Sequence, residues 1–429
     1  MYHLRNLRVV FSIVFLIAIS GALTHIFSQG NTEAPTGFST PTLTDNPGSQ
    51  STSNGFTYPA DDQFSADQQA FEEQDGLDEG LGPIYNAQSC VGCHQNPVTG
   101  GSSQVTELRV GHRDSSGAFV APTIKINEGQ TTVPNRSLVN DRSICAEGQE
   151  RVPGTENIRT LRMSLNTLGD GFVEAIDDAT LLAIAQAQPA ATGGRIHGQA
   201  IQVPVLEAQG QTRVGRFGWK DQQASLLSFA ADAYLNEQGI TSRLLPNNTT
   251  VVCGITDSQE DGPDDKGMHD IDRFARFMRA TMAPPVDSVL LATSDAQTGQ
   301  KLFQQLGCST CHVASMNTAP TGTVVNGGQF TIPAALGGKT IHPYSDFLLH
   351  DVGTGDGIQQ NGPSNTANKL RTPPLWGLRT RDRLMHDGLS LTRNDAILRH
   401  GGEAGFVINR YRFLTQKQKM QLVTFLNSL

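Results

Sequence analysis

Two pentapeptides constrain this chain more than anything else in it. They are CVGCH, with Cys90, Cys93 and His94, and CSTCH, with Cys308, Cys311 and His312. A bare CxxC suits a redox pair or half of a zinc site. A histidine directly after the second cysteine changes that reading. Two sulfurs about one helical turn apart can form thioethers to the vinyl groups of a haem. The next residue then projects beneath the porphyrin, where its imidazole can ligate iron. The chain is therefore expected to carry two covalently bound haem c groups, with His94 and His312 as proximal ligands. Cys145 and Cys253 have no adjacent histidine. In an oxidising compartment a disulfide between them is the simplest reading, and two buried free thiols are the alternative.

The flanks of both motifs agree with it. In SDAQTGQKLFQQLG (294–307), Ser294 can cap a helix, Gln297 completes the capping box, Leu302, Phe303 and Leu306 form an apolar stripe, and Gly307 stops the helix. A short amphipathic helix running into CxxCH is how a cytochrome c domain begins. Before the first motif, Ser65 with Gln68 starts a similar helix, and a glycine-rich stretch intervenes before Cys90. Motifs this far apart predict two haem domains.

A length of 429 residues leaves room for two or three domains. The net charge of −9 argues against a nucleic-acid partner and gives no attraction to an anionic membrane surface. Residues 1–27 carry Arg5 and Arg8 and then an apolar run from Val9 to Ala22, the pattern of an export signal. Ser20 and Ala22 offer a cleavage site; apolar character continuing to Phe27 leaves an uncleaved membrane anchor as the alternative. Residues 28–60 are rich in Ser, Thr, Gly, Pro and Asn and read as a flexible linker. The folded chain is expected in the periplasm, soluble or tethered to the inner membrane. It divides into an N-terminal haem domain over 61–285 and a C-terminal cytochrome c domain over 286–429, where the two prolines of MAPPVDS (282–288) end a helix.

What stands opposite each proximal histidine sets the chemistry, since a second strong ligand makes an electron-transfer haem and an open face admits peroxide. The candidates are His112, His197, His269, His342, His350, His386, His400 and the methionines. SLTRNDAILRHGG (390–402) reads as a short helix capped by Thr392 with Asp395 and ended by Gly401. It puts His400 on the last turn, on the face of Ala396 and Ile397, where a cation also suits the helix C-terminus.

The stretch RTPPLWGLRTRDRLMHDGLSLTRNDAILRHGGEA (371–404) resembles the C-terminal signature of bacterial di-haem cytochrome c peroxidases. In those proteins the distal ligand of the C-terminal haem lies fourteen residues after the histidine of a His-x-Gly; counting from His386 leads to His400. Many relatives have methionine there, and histidine should lower that haem's potential. GPIYNAQSCVGCH, GRFGWKDQQASLL, GITSRLLP, DIDRFARFMRATMAPP, PYSDFLLHDVG and TPPLWGLR narrow the resemblance to the di-haem oxidoreductase family over residues 82–429. The resemblance implies a mainly α fold of two c-type cytochrome domains, with long loops and a large insertion in the N-terminal one. It implies that Trp219 lies between the haems and that Glu237 is the acid over the N-terminal haem, with Phe229 where the peroxidases have glutamine. It implies reduction of hydrogen peroxide at the N-terminal haem, the C-terminal haem taking electrons from a small donor protein, a cytochrome or cupredoxin. It also admits a calcium ion between the domains. Tyr344, Asp346, His350 and Asp351 form a loop suited equally to a propionate, a calcium ion or a water. Two alternatives stand beside this reading. One is a pure electron-transfer cytochrome, with His112 as second ligand to the N-terminal iron; the other is an enzyme that oxidatively modifies a protein partner.

Overall fold

The computed structural model describes residues 30–37, 55–58, 62–248, 252–254 and 260–429. The export signal and most of the linker lie outside the described residues. Within the linker, however, residues 31–37 lie along a sheet. Thr32–Glu33 pairs in parallel with Lys339–Ile341, which pairs antiparallel with Met316–Asn317. Ala34 N–H continues the ladder to the Thr340 carbonyl at 2.9 Å.

The helix before the second motif spans Ser294–Leu306 and ends at Gly307, whose φ of 101° is the left-handed value that glycine adopts without strain. Its cap is Thr293, one residue earlier than expected: the Thr293 hydroxyl accepts the Ala296 N–H at 3.3 Å. Its buried stripe of Leu302, Phe303 and Leu306 packs against helix Gln416–Leu426, where Leu422, Phe425 and Leu426 face it. The capping box of that partner helix is complete between Thr415 and Gln418. On the N-terminal side, helix Phe64–Glu72 starts after Gln63 with no side-chain cap, so Ser65 does not serve as one. It packs on Asp270–Ala280, which also carries Leu226–Ala233. The central helix has Ile271, Phe274, Ala275, Phe277 and Met278 buried, a spacing that brings apolar residues to both neighbours.

Between the helix Phe64–Glu72 and Leu226–Ala233 the chain builds β structure. Thr106–Arg113 is the long strand, paired antiparallel with Ile158–Met163, Leu138–Val139 and Phe119–Val120. A hairpin of Thr123–Ile126 and Thr131–Pro134 buries Ile124, Ile126 and Val133 against Val110 and Val139. Helix accounts for about one-third of the chain and strand for 17%. The fold is thus mixed, with more strand than the mainly α expectation, because the insertion alternates apolar and polar residues and forms a sheet. Cys145 and Cys253 are joined in a disulfide.

The main core joins residues from both sides of 282–288. Phe172, Phe277 and Met278 share it with Met316, Ile332, Phe347, Leu348 and Trp376. A second core of Phe303, Tyr344, Val407, Tyr411, Leu422 and Phe425 lies behind the second motif.

Candidate functional site

Each CxxCH opens onto its own cavity. In the first, Cys90–Gly92 forms a single 3₁₀ turn capped by the Ser89 hydroxyl, which accepts the Gly92 N–H at 3.2 Å. His94 follows, with Nδ1 held by the Gly101 carbonyl at 3.1 Å. Cys90, Cys93 and His94 line a cavity of about 170 Å³ together with Phe71, Phe274, Phe229 and Glu237. The second motif repeats the arrangement. Cys308–Thr310 is a 3₁₀ turn, and His312 Nδ1 is held by the Tyr344 carbonyl at 3.0 Å. Cys308, Cys311 and His312 line a cavity of about 200 Å³ that also receives His400.

His400 is the residue that terminates helix Arg393–Arg399, and its Nδ1 is held by the Ala396 carbonyl at 2.8 Å. All three imidazoles therefore have Nδ1 tied to a backbone carbonyl, which fixes the ring and leaves Nε2 as the nitrogen able to bind a metal. Enclosure holds all three below the ordinary histidine range; for His312, pushed down to about 4, the neighbouring His400 adds to that. A neutral imidazole is the ligating form. His312 and His400 thus line one cavity.

The remaining histidines sort cleanly. His112 is paired with Glu156 at 2.8 Å, His269 with the Asp261 carbonyl at 2.7 Å, and His342 with Glu33 at 2.9 Å. These three and His197 are absent from the walls of both cavities. Among the described residues, His94 is the one histidine on the first cavity, so His112 does not supply its second ligand. His386 lines the second cavity, buried, with its ring edge-on to Trp219 at 6.1 Å. His350, also on that cavity, has both nitrogens engaged by carboxylates: Asp346 at 2.8 Å and Glu403 at 2.9 Å.

The loop around His350 locks the two sides of this cavity together. Gln188 donates to Asp346 at 2.6 Å and to the Thr310 carbonyl inside the second motif at 3.0 Å. On the other side, Gly401 N–H reaches the Val352 carbonyl at 2.6 Å and Glu403 N–H the Asp351 carbonyl at 2.8 Å. This close approach explains Gly402: a Cβ there would lie 2.3 Å from the Asp351 oxygen. Ligand atoms of Cys311, Asp346 and His350 lie within 4.8 Å of one another. That set lacks the all-oxygen character of a calcium cage, and Cys311 belongs to the haem-attachment motif.

Buried cations tell what else the second cavity is shaped for. Arg371 and Arg381 line it, and among the described residues Arg371 Nε and Arg381 Nη2 are buried without a hydrogen-bond partner, Asp221 standing 4.0 Å from Arg371 Nε. Orphaned guanidinium donors on a cavity edge are costly unless an acid completes them. The two propionates of a haem are such acids. Paired cysteines, oriented imidazoles and waiting arginines all fit that group.

Trp219 stands in the wall shared by both cavities, with Met163 and Ser164. Its Nε1–H donates to the Met163 carbonyl at 2.8 Å. Glu237 lies on a π-turn, Tyr234–Gln238, that extends helix Leu226–Ala233. Such a turn shifts side chains out of helical register and is frequent at functional sites. Asn86 fixes the carboxyl by donating to Oε2 at 2.7 Å. Burial, and then the charge of Glu107, raise the pKa of Glu237 well above that of an ordinary carboxyl. Glu107 was not among the residues singled out from the sequence. It hydrogen-bonds Glu237 and is gripped by Arg109 through Nε at 2.7 Å and Nη2 at 3.0 Å. Phe229 stacks on Phe217 at 6.0 Å and presents an apolar wall beside these carboxyls.

Residues 150–429 match the sequence profile of a family described as "Di-haem oxidoreductase, putative peroxidase". The matched span holds Trp219, Glu237, the second motif and His400; the first motif precedes it. No curated protein matches the chain. Among solved structures, the chain is similar to a hydrazine synthase of Kuenenia stuttgartiensis pressurised with 20 bar xenon, at 19% identity over 37% of this chain and 55% of that one, with a TM-score of 0.25. It is also similar to a MauG-like protein associated with microbial copper homeostasis, at 21% identity over 37% of this chain and 52% of that one, with a TM-score of 0.25. The chain thus spans about half the length of these solved chains.

Proposed function

Since the chain belongs to the di-haem oxidoreductase family, we propose that it is an exported enzyme that reduces hydrogen peroxide with electrons from a small donor protein. The observation that carries this reading is the asymmetry of the two cavities. His312 and His400 line one, whereas among the described residues His94 shares the other with no second histidine but with the buried Glu237 carboxyl, whose pKa burial and Glu107 raise. When bound, haem c supplies redox-active iron, open to peroxide where only one face is ligated. The overall reaction takes two electrons and two protons per peroxide and gives two waters.

The protein's own part is positioning and proton movement. Asn86 and Glu107 hold the Glu237 carboxyl at the first cavity, and its proton is available to the oxygen that leaves when the O–O bond breaks. Phe229, Phe71 and Phe274 give that cavity apolar walls that limit water around the reacting oxygens. Trp219 is the aromatic group common to both cavity walls, which supports a role in passing electrons from the His312–His400 side to the His94 side. Among the described residues the first cavity has no second histidine, which weighs against a bis-histidine electron carrier there; Met163 and Met278 are the other ligand candidates on its wall.

Steady-state peroxide reduction with a reduced cytochrome or cupredoxin tests the proposal. Glu237→Gln is expected to lower kcat/KM by about 100-fold, the low end for a lost acid–base group, with both haems still attached. Turnover unchanged by Glu237→Gln, or absent in the wild type with every donor tried, contradicts it.

A further inference from the structure

The long strand of the insertion brings charge into a cavity whose motif lies elsewhere in the chain. Glu107 and Arg109 sit two residues apart on Thr106–Arg113, so the pleat points both to the same face, and both line the first cavity. Directly across the sheet, Glu107 pairs in register with Arg162, whose Nη1 is 4.0 Å from the Glu107 carboxylate. Two guanidinium groups therefore fix Glu107 as the ionised member of any pair it joins. Its neighbour is Glu237, hydrogen-bonded to it from the π-turn of a separate element. Two carboxylates in hydrogen-bond contact cannot both be ionised cheaply, so one retains a proton. The family-matched span begins after this strand, so Glu107 and Arg109 come from a part of the chain outside it.

We propose that Glu107 is a positioning residue that, held by Arg109, keeps Glu237 a neutral acid and aims its proton within the first cavity. The insertion is then part of the reaction centre. Other charged and titratable groups facing the pair are Asp232 from helix Leu226–Ala233, Arg136 from the loop before Leu138, Arg162 from the neighbouring strand and Cys93 from the motif. Asp232 is itself held up by burial, with Arg109 opposing. Arg109 is the cation that contacts Glu107 through two hydrogen bonds. Removing the Glu107 charge leaves burial as the larger cause of the Glu237 shift but deletes the next one.

The proposal rests on the peroxide-reducing reading for its purpose, but its test does not. Infrared difference spectra of the holoprotein across pH report the carbonyl band of a protonated carboxylic acid, identified by its shift in heavy water. In the wild type that band is expected at neutral pH and to vanish in Glu237→Gln. In Glu107→Gln, which preserves shape and hydrogen bonding, its titration should fall by about one pH unit, a tenfold change in ionisation constant. Glu107→Asp, which restores the charge, should return the titration toward the wild-type position. A Glu237 titration unmoved by Glu107→Gln, or no protonated carboxyl at neutral pH in the wild type, overturns the proposal. Loss of peroxide turnover with the band behaving as described would overturn the functional reading and leave the carboxyl pair standing.

Discussion

At the scale of single residues, Trp219 does two things with one side chain. Its indole N–H anchors the Met163 carbonyl, and its ring closes the wall between the two cavities, edge-on to His386. Trp219→Phe keeps an apolar aromatic wall and deletes the hydrogen bond. It should cost about 1 kcal/mol of stability. Electron passage between the sites should slow about tenfold, roughly 1.4 kcal/mol of added barrier. Stopped-flow reduction of the holoprotein checks the rate and thermal unfolding checks the stability. The two CxxCH motifs, each on the wall of a cavity, were legible in the sequence because their residues are local to one another. His400 was reached only through a count from His386 and a family resemblance, since His312, on the wall of the same cavity, lies far away in the chain. Glu107 was not reached. TELRVGHR does show charges at alternate positions of a strand, but which carboxylate they meet is decided by the fold that brings Glu237 to the same cavity.

At the scale of elements, the seven-residue helix Arg393–Arg399 is too short to be stable by itself. What holds it, and with it His400, is the loop from Asp346 to Gly353. His350 is the pivot, 1% exposed and clasped between Asp346 and Glu403. Those carboxylates raise its pKa well above its ordinary value, although burial opposes them. A histidine that gains partners in the fold contributes stability that is fully present below its unfolded pKa of about 6.5. That stability is lost as pH rises through the raised folded value. His350→Leu leaves two facing carboxylates uncompensated and should cost about 3 kcal/mol. Its thermal-stability deficit against wild type should be largest in mild acid and shrink on the alkaline side. A deficit independent of pH would mean that His350 serves only to pack. The helix itself was legible, down to the Thr392 hydroxyl accepting the Asp395 N–H at 3.0 Å. The reason for Gly402 was not, because the backbone it approaches, at Asp351, lies about fifty positions earlier.

At the scale of the whole molecule, the halves that carry the two motifs share one apolar core. Phe277 and Met278, from the helix before the prolines of 284–285, are packed with Phe347 and Leu348 from beyond them. A composition break at prolines marks the end of a helix, and here the core continues past it. The insertion is tied by Cys145–Cys253, which spans 108 positions. Opening a loop of that length should cost about 5 kcal/mol on a chain-entropy account. The double variant Cys145→Ser, Cys253→Ser is therefore expected to unfold at lower denaturant with both haems still attached by mass. The disulfide was one of two readings open to the sequence, because two leftover cysteines give no geometry until the sheet between them is built.

In the proposed enzyme one iron is held by two histidines and the other by one. Low-temperature electron paramagnetic resonance of the oxidised holoprotein, compared with His400→Ala, tests it most directly. One bis-histidine low-spin signal, from His312 and His400, is expected, with a second haem whose high-spin fraction responds to cyanide. In His400→Ala the bis-histidine signal should be lost while both haems stay attached. Two fully low-spin haems in both the oxidised and half-reduced protein, or a bis-histidine signal that survives His400→Ala, would contradict it.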